Sequence, residues 1–198
     1  MRVPCLYFAA PSPFVRKVRI VAQEVGHELE LVEVFASPIT LHEGLTNANP
    51  LGRIPALRLP GGEVLYDSSV ICRYLGETTP LYPKGMALWR ALRREALADG
   101  LMEAALLARY ETTLRPEPMR WPEWVHGQMD KVRHALAVMC DDARQGKTYD
   151  IGDIATGCAL GYLDFRYPDL DWRADFPELS HFVERIMTRS AFLATALD

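Results

Sequence analysis

The sequence predicts an α/β domain over residues 1–80 followed by an all-α domain over residues 86–198. Three observations carry this reading. Strand and helix signals alternate as β-α-β-α-β-β-α along the first part of the chain. Residues 79–85, Thr-Pro-Leu-Tyr-Pro-Lys-Gly, are rich in proline and glycine and read as a linker. After Gly85 the strand signals nearly vanish and helical periodicity takes over.

The elements follow in order. Val3 to Phe8 is a short apolar and aromatic run, expected to be a buried strand. Phe14, Val18, Val21, Ala22 and Val25 recur at helical spacing, and Gly26 stops that helix. Leu29 to Phe35 alternates as a second strand, and its crossover from the first should be right-handed and parallel. Ser37 to Asn49 is a poorly periodic helix or turn region. Pro55 to Leu59 and Glu63 to Tyr66 are two strands joined through Pro60-Gly61-Gly62 as a hairpin. Asp67-Ser68-Ser69 caps a helix reaching about Thr78. In the second domain, helices are expected from about Met86 to Tyr110, Pro122 to Arg144 and Ile151 to Arg166. Pro116, Pro118 and Pro122 interrupt the pattern between the first two. Pro168 to Pro177 reads as irregular, a further helix starts near Pro177, and a short one follows Ser190.

Composition narrows the function. The chain has 198 residues, 49% hydrophobic, and a formal net charge of −4. That suits a sizeable core and gives no basic stripe for nucleic acid. Arg16-Lys17-Val18-Arg19 and the stretch from Arg90 to Arg94 are read as solvated helix faces. No apolar run approaches the roughly 18 residues that span a membrane, and the N-terminal residues do not form a secretory signal. Cys5, Cys72, Cys140 and Cys158 are far apart and form no metal-ligand or redox pair, so no metal is expected and a reducing cytoplasm fits best.

Three short segments carry chemistry. Ser12-Pro13 opens the first helix with a good N-cap and a proline at the first helical position. A capping hydroxyl accepts a backbone N–H while its own hydrogen stays available to an anion at the helix start. Asn49-Pro50-Leu51-Gly52-Arg53-Ile54-Pro55-Ala56-Leu57 enters a strand through an Ile-Pro pair. It is either an ordinary turn or a cis bond that presents the Ile54 backbone to a peptide-like ligand. Asp67-Ser68 is an N-cap in which a serine suits a carboxylate and the adjacent aspartate suits an ammonium, the two charges of a free α-amino acid group.

These segments, Ser12 to Arg19, Asn49 to Leu57 and Leu65-Tyr66-Asp67-Ser68-Ser69-Val70-Ile71, resemble in order and spacing the N-domain signatures of cytosolic glutathione transferases. The resemblance extends to Glu95-Ala96-Leu97-Ala98-Asp99-Gly100 and Arg115-Pro116-Glu117, similar to segments of a bacterial subgroup with a serine-type active-site loop. Tyr149-Asp150-Ile151-Gly152-Asp153-Ile154-Ala155 is similar to the family's folding motif, with Asp150 where Ser or Thr is usual. Asp is an equally good N-cap, and Asp153 can reach back as in a capping box.

The resemblance implies a thioredoxin-like N-terminal domain, an all-helical C-terminal domain and glutathione as co-substrate without a metal. It implies Ser12 at the glutathione sulfur, Phe14 among the glutathione-binding residues, and Ile54 ahead of cis-Pro55 on the cysteinyl backbone. Asp67 and Ser68 would hold the γ-glutamyl ammonium and carboxylate, and Arg53 or His42 the glycyl carboxylate. Arg19 and Asp99 form either a supporting ion pair behind Asp67-Ser68 or an ordinary interdomain salt bridge. The second substrate would be a small apolar electrophile, met between the domains by the loop from Phe8 to Pro11 and the region of Leu106 and Tyr110. A homodimer and a detoxifying, cytoplasmic role are implied. The alternatives are a non-catalytic or regulatory glutathione-binding protein and a glutathione-dependent peroxidase or lyase. No cysteine stands between Ala9 and Phe14, which argues against the disulfide-exchanging class.

Overall fold

Leu6, Ala56 and Leu57 lose all solvent exposure because they lie side by side at the centre of a four-stranded sheet. A computed structural model describes residues 3–143 and 149–197. Met1, Arg2, the expected helix end at Arg144, and Asp198 lie outside the described residues. The strands are β1 (Cys5–Phe8), β2 (Glu30–Glu33), β3 (Ala56–Arg58) and β4 (Val64–Leu65). Their spatial order is β2-β1-β3-β4. β1 and β2 are parallel, with Leu6 beside Leu31, and the remaining pairs are antiparallel. β3 begins one residue after Pro55, which has no N–H to give the ladder.

Three helices belong to the same part of the chain: α1 (Pro13–Glu24), α2 (Glu43–Thr46) and α3 (Ser68–Gly76). α1 buries Val15, Val18, Ile20, Val21 and Ala22, and packs on α3 through the latter's Ile71, Cys72 and Leu75. Burying those side chains contributes about 1.5–3 kcal/mol for each large one. The solvated-face reading of Arg16 to Arg19 is corrected here. Lys17 is wholly buried and Arg16 nearly so, because both stand within the turns that α1 turns inward. The second basic stretch divides: Arg90 and Arg93 are exposed, whereas Arg94 is largely covered by its carboxylate partners.

The helical part comprises α4 (Met86–Thr113), α5 (Pro122–Ala143), α6 (Ile151–Arg166), α7 (Trp172–Asp175) and α8 (Pro177–Met187), followed by α9 (Ser190–Leu193). The chain divides into two units, one of Met1–Leu88 with Arg189–Asp198, the other of Trp89–Thr188. In the first, α9 packs on α1; Arg16 Nη2 donates to the Phe192 carbonyl at 3.2 Å and Arg189 grips Glu24 at 2.7 Å. In the second, α6 is the central helix, with Ile151, Ile154, Ala155, Cys158, Ala159, Leu160 and Leu163 all buried. α8 covers it with Leu179, Val183 and Ile186.

Two expectations shift. The segment from Pro168 to Pro177, read as irregular, contains α7: Asp171 caps it by accepting the Ala174 N–H at 3.3 Å, and the buried Trp172 anchors it through its indole N–H to Asp164 at 2.9 Å. A single turn is too short to show periodicity, so only its cap was readable. The proline-broken stretch after α4 also holds one 3-10 turn, Glu117–Met119.

The start of α6 is held by a complete capping box. Asp150 accepts the Gly152 N–H at 2.8 Å, and the Asp150 N–H donates to Asp153 at 3.0 Å. Arg94 on α4 forks across both carboxylates at 2.6 Å each. Gly152 is needed here, since a Cβ would lie 2.8 Å from the Arg94 Cβ and 3.0 Å from the Ala91 carbonyl. Among the described residues, no helix is long and apolar enough to cross a membrane.

Candidate functional site

Strand pairing gathers the three sequence segments at one end of the sheet. Tyr7 lies opposite Ala56, so the exit of β1 towards Ser12 adjoins the Ile54-Pro55 entry to β3. Leu57 lies opposite Leu65, so the exit of β4 towards Asp67 adjoins the same place. Cys5 pairs with Arg58 at the other end. Its thiol is pushed up in pKa by burial and by Glu30, which keeps it protonated and a poor nucleophile.

Ser12 is the N-cap of α1. Its Oγ accepts the Val15 N–H at 3.3 Å, and its N–H donates to the Ala9 carbonyl at 3.1 Å. The hydroxyl donates no hydrogen bond among the described residues, so its hydrogen is available to an anion at the helix start. Phe14, on the first turn, is half-buried.

The bond between Ile54 and Pro55 is cis. Among the described residues, neither the N–H nor the C=O of Ile54 is hydrogen-bonded, although the half-buried residue adjoins a paired strand. The turn ahead of it is tied by a residue that the sequence reading did not single out. Asn49 is buried; its amide donates to the Arg53 carbonyl at 2.8 Å and accepts the Leu51 N–H at 3.1 Å. Gly52 has φ +61° and no room for a Cβ, which would lie 2.7 Å from Leu41 Cδ2. The signal for Asn49 was its place before Pro50 in a turn, since Asn readily bonds backbone two residues on. Arg53 is exposed. His42 is exposed at the N-cap of α2 and makes no capping bond.

Asp67 caps α3, with Oδ1 accepting the N–H groups of Ser69 at 3.0 Å and Val70 at 3.4 Å. The bond before it, Tyr66 to Asp67, is also cis. Asp67 Oδ2 takes no bond among the described residues, nor do the N–H and hydroxyl of Ser68. An outward carboxylate oxygen therefore stands next to two donors at a helix N-terminus. Beneath them lies Lys17, whose Nζ is 3.5 Å from Ser69 Oγ. Its place between Phe14 and Val21 on the apolar side of α1 was the available signal.

Arg19 lies in the first unit, 5.9 Å from the Phe8 ring centroid, and its pKa is lowered by burial and then by Arg16. Asp99 stands on α4 in the second unit. Among the described residues, no group of three His, Cys, Asp or Glu side chains is placed to hold a metal ion.

Comparison with known proteins identifies the family. Residues 11–78 match the family model of the glutathione S-transferase N-terminal domain, and residues 122–185 that of the C-terminal domain. An uncharacterized GST-like protein of Escherichia coli (strain K12), YibF, is 32% identical over 192 residues, 93% of this chain and 94% of that protein. A glutathione transferase family member from Pseudomonas fluorescens Pf-5, solved with bound glutathione, superposes with a TM-score of 0.93 at 44% identity, covering 98% of this chain and 99% of that one. Its complex with S-(propanoic acid)-glutathione gives a TM-score of 0.88 at 43% identity, covering 98% and 100%. With both domain models matched and relatives spanning nearly its whole length, the chain belongs to the glutathione transferase family.

Proposed function

We propose that this protein binds glutathione at the end of its sheet and presents the thiolate to a small apolar electrophile. The observation that carries the reading is the convergence, through β1–β3 and β3–β4 pairing, of an available hydroxyl, an unpaired peptide edge and an α-amino-acid receptor. Asp67 and Ser68 take the γ-glutamyl ammonium and carboxylate. The Ile54 N–H and C=O pair with the cysteinyl backbone as a short added strand. Phe14 flanks the ligand, and Arg53 or His42 meets the glycyl carboxylate. Ser12 donates to the sulfur.

A free thiol has a pKa of about 8.5, so one hydroxyl donor and a helix start suffice to raise the thiolate fraction near neutral pH. The thiolate forms the new carbon–sulfur bond, and most of the acceleration is ionisation plus proximity. A relative that holds S-(propanoic acid)-glutathione, a thioether of glutathione, supports conjugation as the reaction class.

Titration calorimetry with glutathione tests the binding. Saturable heat is expected at millimolar ligand or below, and a flat titration removes the proposal. Ser12→Ala tests the chemistry. The variant should keep its glutathione affinity to within a few-fold and lose the ultraviolet absorbance of bound thiolate; unchanged absorbance would release Ser12 from any role at the sulfur.

A homodimer is part of the same proposal. Val70 and Tyr74, one turn apart on α3, and Tyr66 just before it are exposed apolar side chains. Light scattering should give twice the chain mass at micromolar concentration, and Tyr74→Glu should shift that mass towards one chain.

A further inference from the structure

The loop between α2 and β3 faces water for most of its length: Pro50, Leu51 and Arg53 are exposed. Exposed connections are usually the more mobile part of a fold. Here one side chain reaches into the loop from the protein interior. Asn49 is 2% exposed, and its backbone N–H donates to the Leu45 carbonyl at 2.7 Å. Leu45 and Ala48 belong to the same buried cluster as Tyr7 and Ala56, with Ile54 packed against it. The Asn49 amide is therefore anchored on a rigid base within the first unit.

A buried amide costs stability unless its partners are met. Both partners of this one are backbone groups of the loop, the Leu51 N–H and the Arg53 carbonyl. Among the described residues, the bond from Asn49 is the one hydrogen bond that Arg53 makes. The Arg53 carbonyl and the Ile54 N–H belong to a single peptide group. That peptide is trans and planar, so its C=O and N–H point in opposite directions. Holding the carbonyl towards Asn49 at 2.8 Å turns the Ile54 N–H away from the buried amide. Gly52 completes the arrangement: its N–H donates to the Asn49 carbonyl at 2.8 Å, and its φ of +61° suits glycine.

We propose that Asn49 is a positioning residue for glutathione: it fixes the Arg53–Ile54 peptide so that the Ile54 N–H faces the cysteinyl carbonyl before the ligand arrives. The inference rests on the proposed glutathione binding and adds to it a residue that acts only through the backbone of its neighbours. A donor oriented in advance avoids the ordering cost otherwise met on binding.

Amide NMR of Asn49→Asp, titrated with glutathione, tests it. The substitution keeps an oxygen for the Leu51 N–H and sets a second oxygen against the Arg53 carbonyl in place of the donor. In the unaltered protein, glutathione should shift the amide signals of both Ile54 and Ser68. In the variant, affinity should fall roughly tenfold, as for one lost hydrogen bond. At saturation Ser68 should still shift fully, while the Ile54 shift is at least halved. A residue with only a structural role would move both signals together or neither. Asn49→Ser is too short to reach the Arg53 carbonyl but can still accept the Leu51 N–H. It should behave in the same way, and it replaces the Asp variant should that one not fold. On the unaltered protein alone, residual dipolar couplings should give the same Ile54 N–H orientation with and without glutathione. Undiminished affinity or an undiminished Ile54 shift in the variants, equal loss at Ile54 and Ser68, or a reorientation of that N–H on binding overturns the role of Asn49 and leaves glutathione binding standing. No shift at either amide of the unaltered protein removes the binding proposal and this inference with it.

Discussion

Arg94→Met is expected to cost about 3–5 kcal/mol of folding stability, the usual penalty for leaving a buried charge without its partner. The side chains of Arg94, Asp150 and Asp153 are 16%, 9% and 13% exposed, so water screens them little. Burial works against the Arg94 cation, and Asp153 and Asp150 more than restore it, so its pKa is raised. Asp150 shows the other side of the balance. Burial raises its carboxyl, Arg94 lowers it, and the adjacent Asp153 raises it again. Without the guanidinium, two carboxylates would face each other at the start of the most buried helix. The midpoint of urea unfolding should fall with little change in slope, and Arg94→Lys should recover part of the loss because one ammonium cannot fork across both acids. Protection of the first α6 amides from hydrogen exchange should fall with it. A midpoint unmoved by Arg94→Met would mean that the capping box holds α6 unaided.

Asp67 separates recognition from architecture. Asp67→Asn keeps an oxygen for the Ser69 and Val70 N–H groups, so the cap survives, since Asn and Asp rank equally there. It removes the charge proposed to face the ammonium. Glutathione affinity should drop roughly 10- to 100-fold, as for a hydrogen bond to a charged group, while the melting temperature stays close to that of the unaltered protein. Asp67→Ala should lose the affinity and, in addition, about 1 kcal/mol of stability from the missing cap. Equal glutathione affinity in the Asn variant would reduce Asp67 to a cap.

The chain wrote much of its element order plainly because three of its main helices begin with a readable cap. Ser12, Asp67 and Asp150 mark helix starts in the sequence, and each accepts the N–H groups expected of it. The three candidate segments were legible as caps and a turn, but their convergence was readable only through the family resemblance. That depends on the antiparallel register of Tyr7 with Ala56 and of Leu57 with Leu65, which local spacing does not encode. Asn49 and Lys17 escaped for opposite reasons. Asn49 acts through backbone partners that composition cannot reveal. Lys17 carries a charge, and a basic stretch reads as a wet face until the fold covers it.

The covering of α1 by the segment beginning at Arg189 sets an order of events at the ribosome. Arg16 is buried against Phe192, and Glu24 is gripped by Arg189. The residues that make those contacts are translated only after all of Trp89–Thr188. The sheet and α1 emerge first but wait for their last cover through the synthesis of an entire helical unit. Ser12 caps the helix that waits, so the end of the site proposed to face the sulfur depends on a segment translated after the whole helical unit.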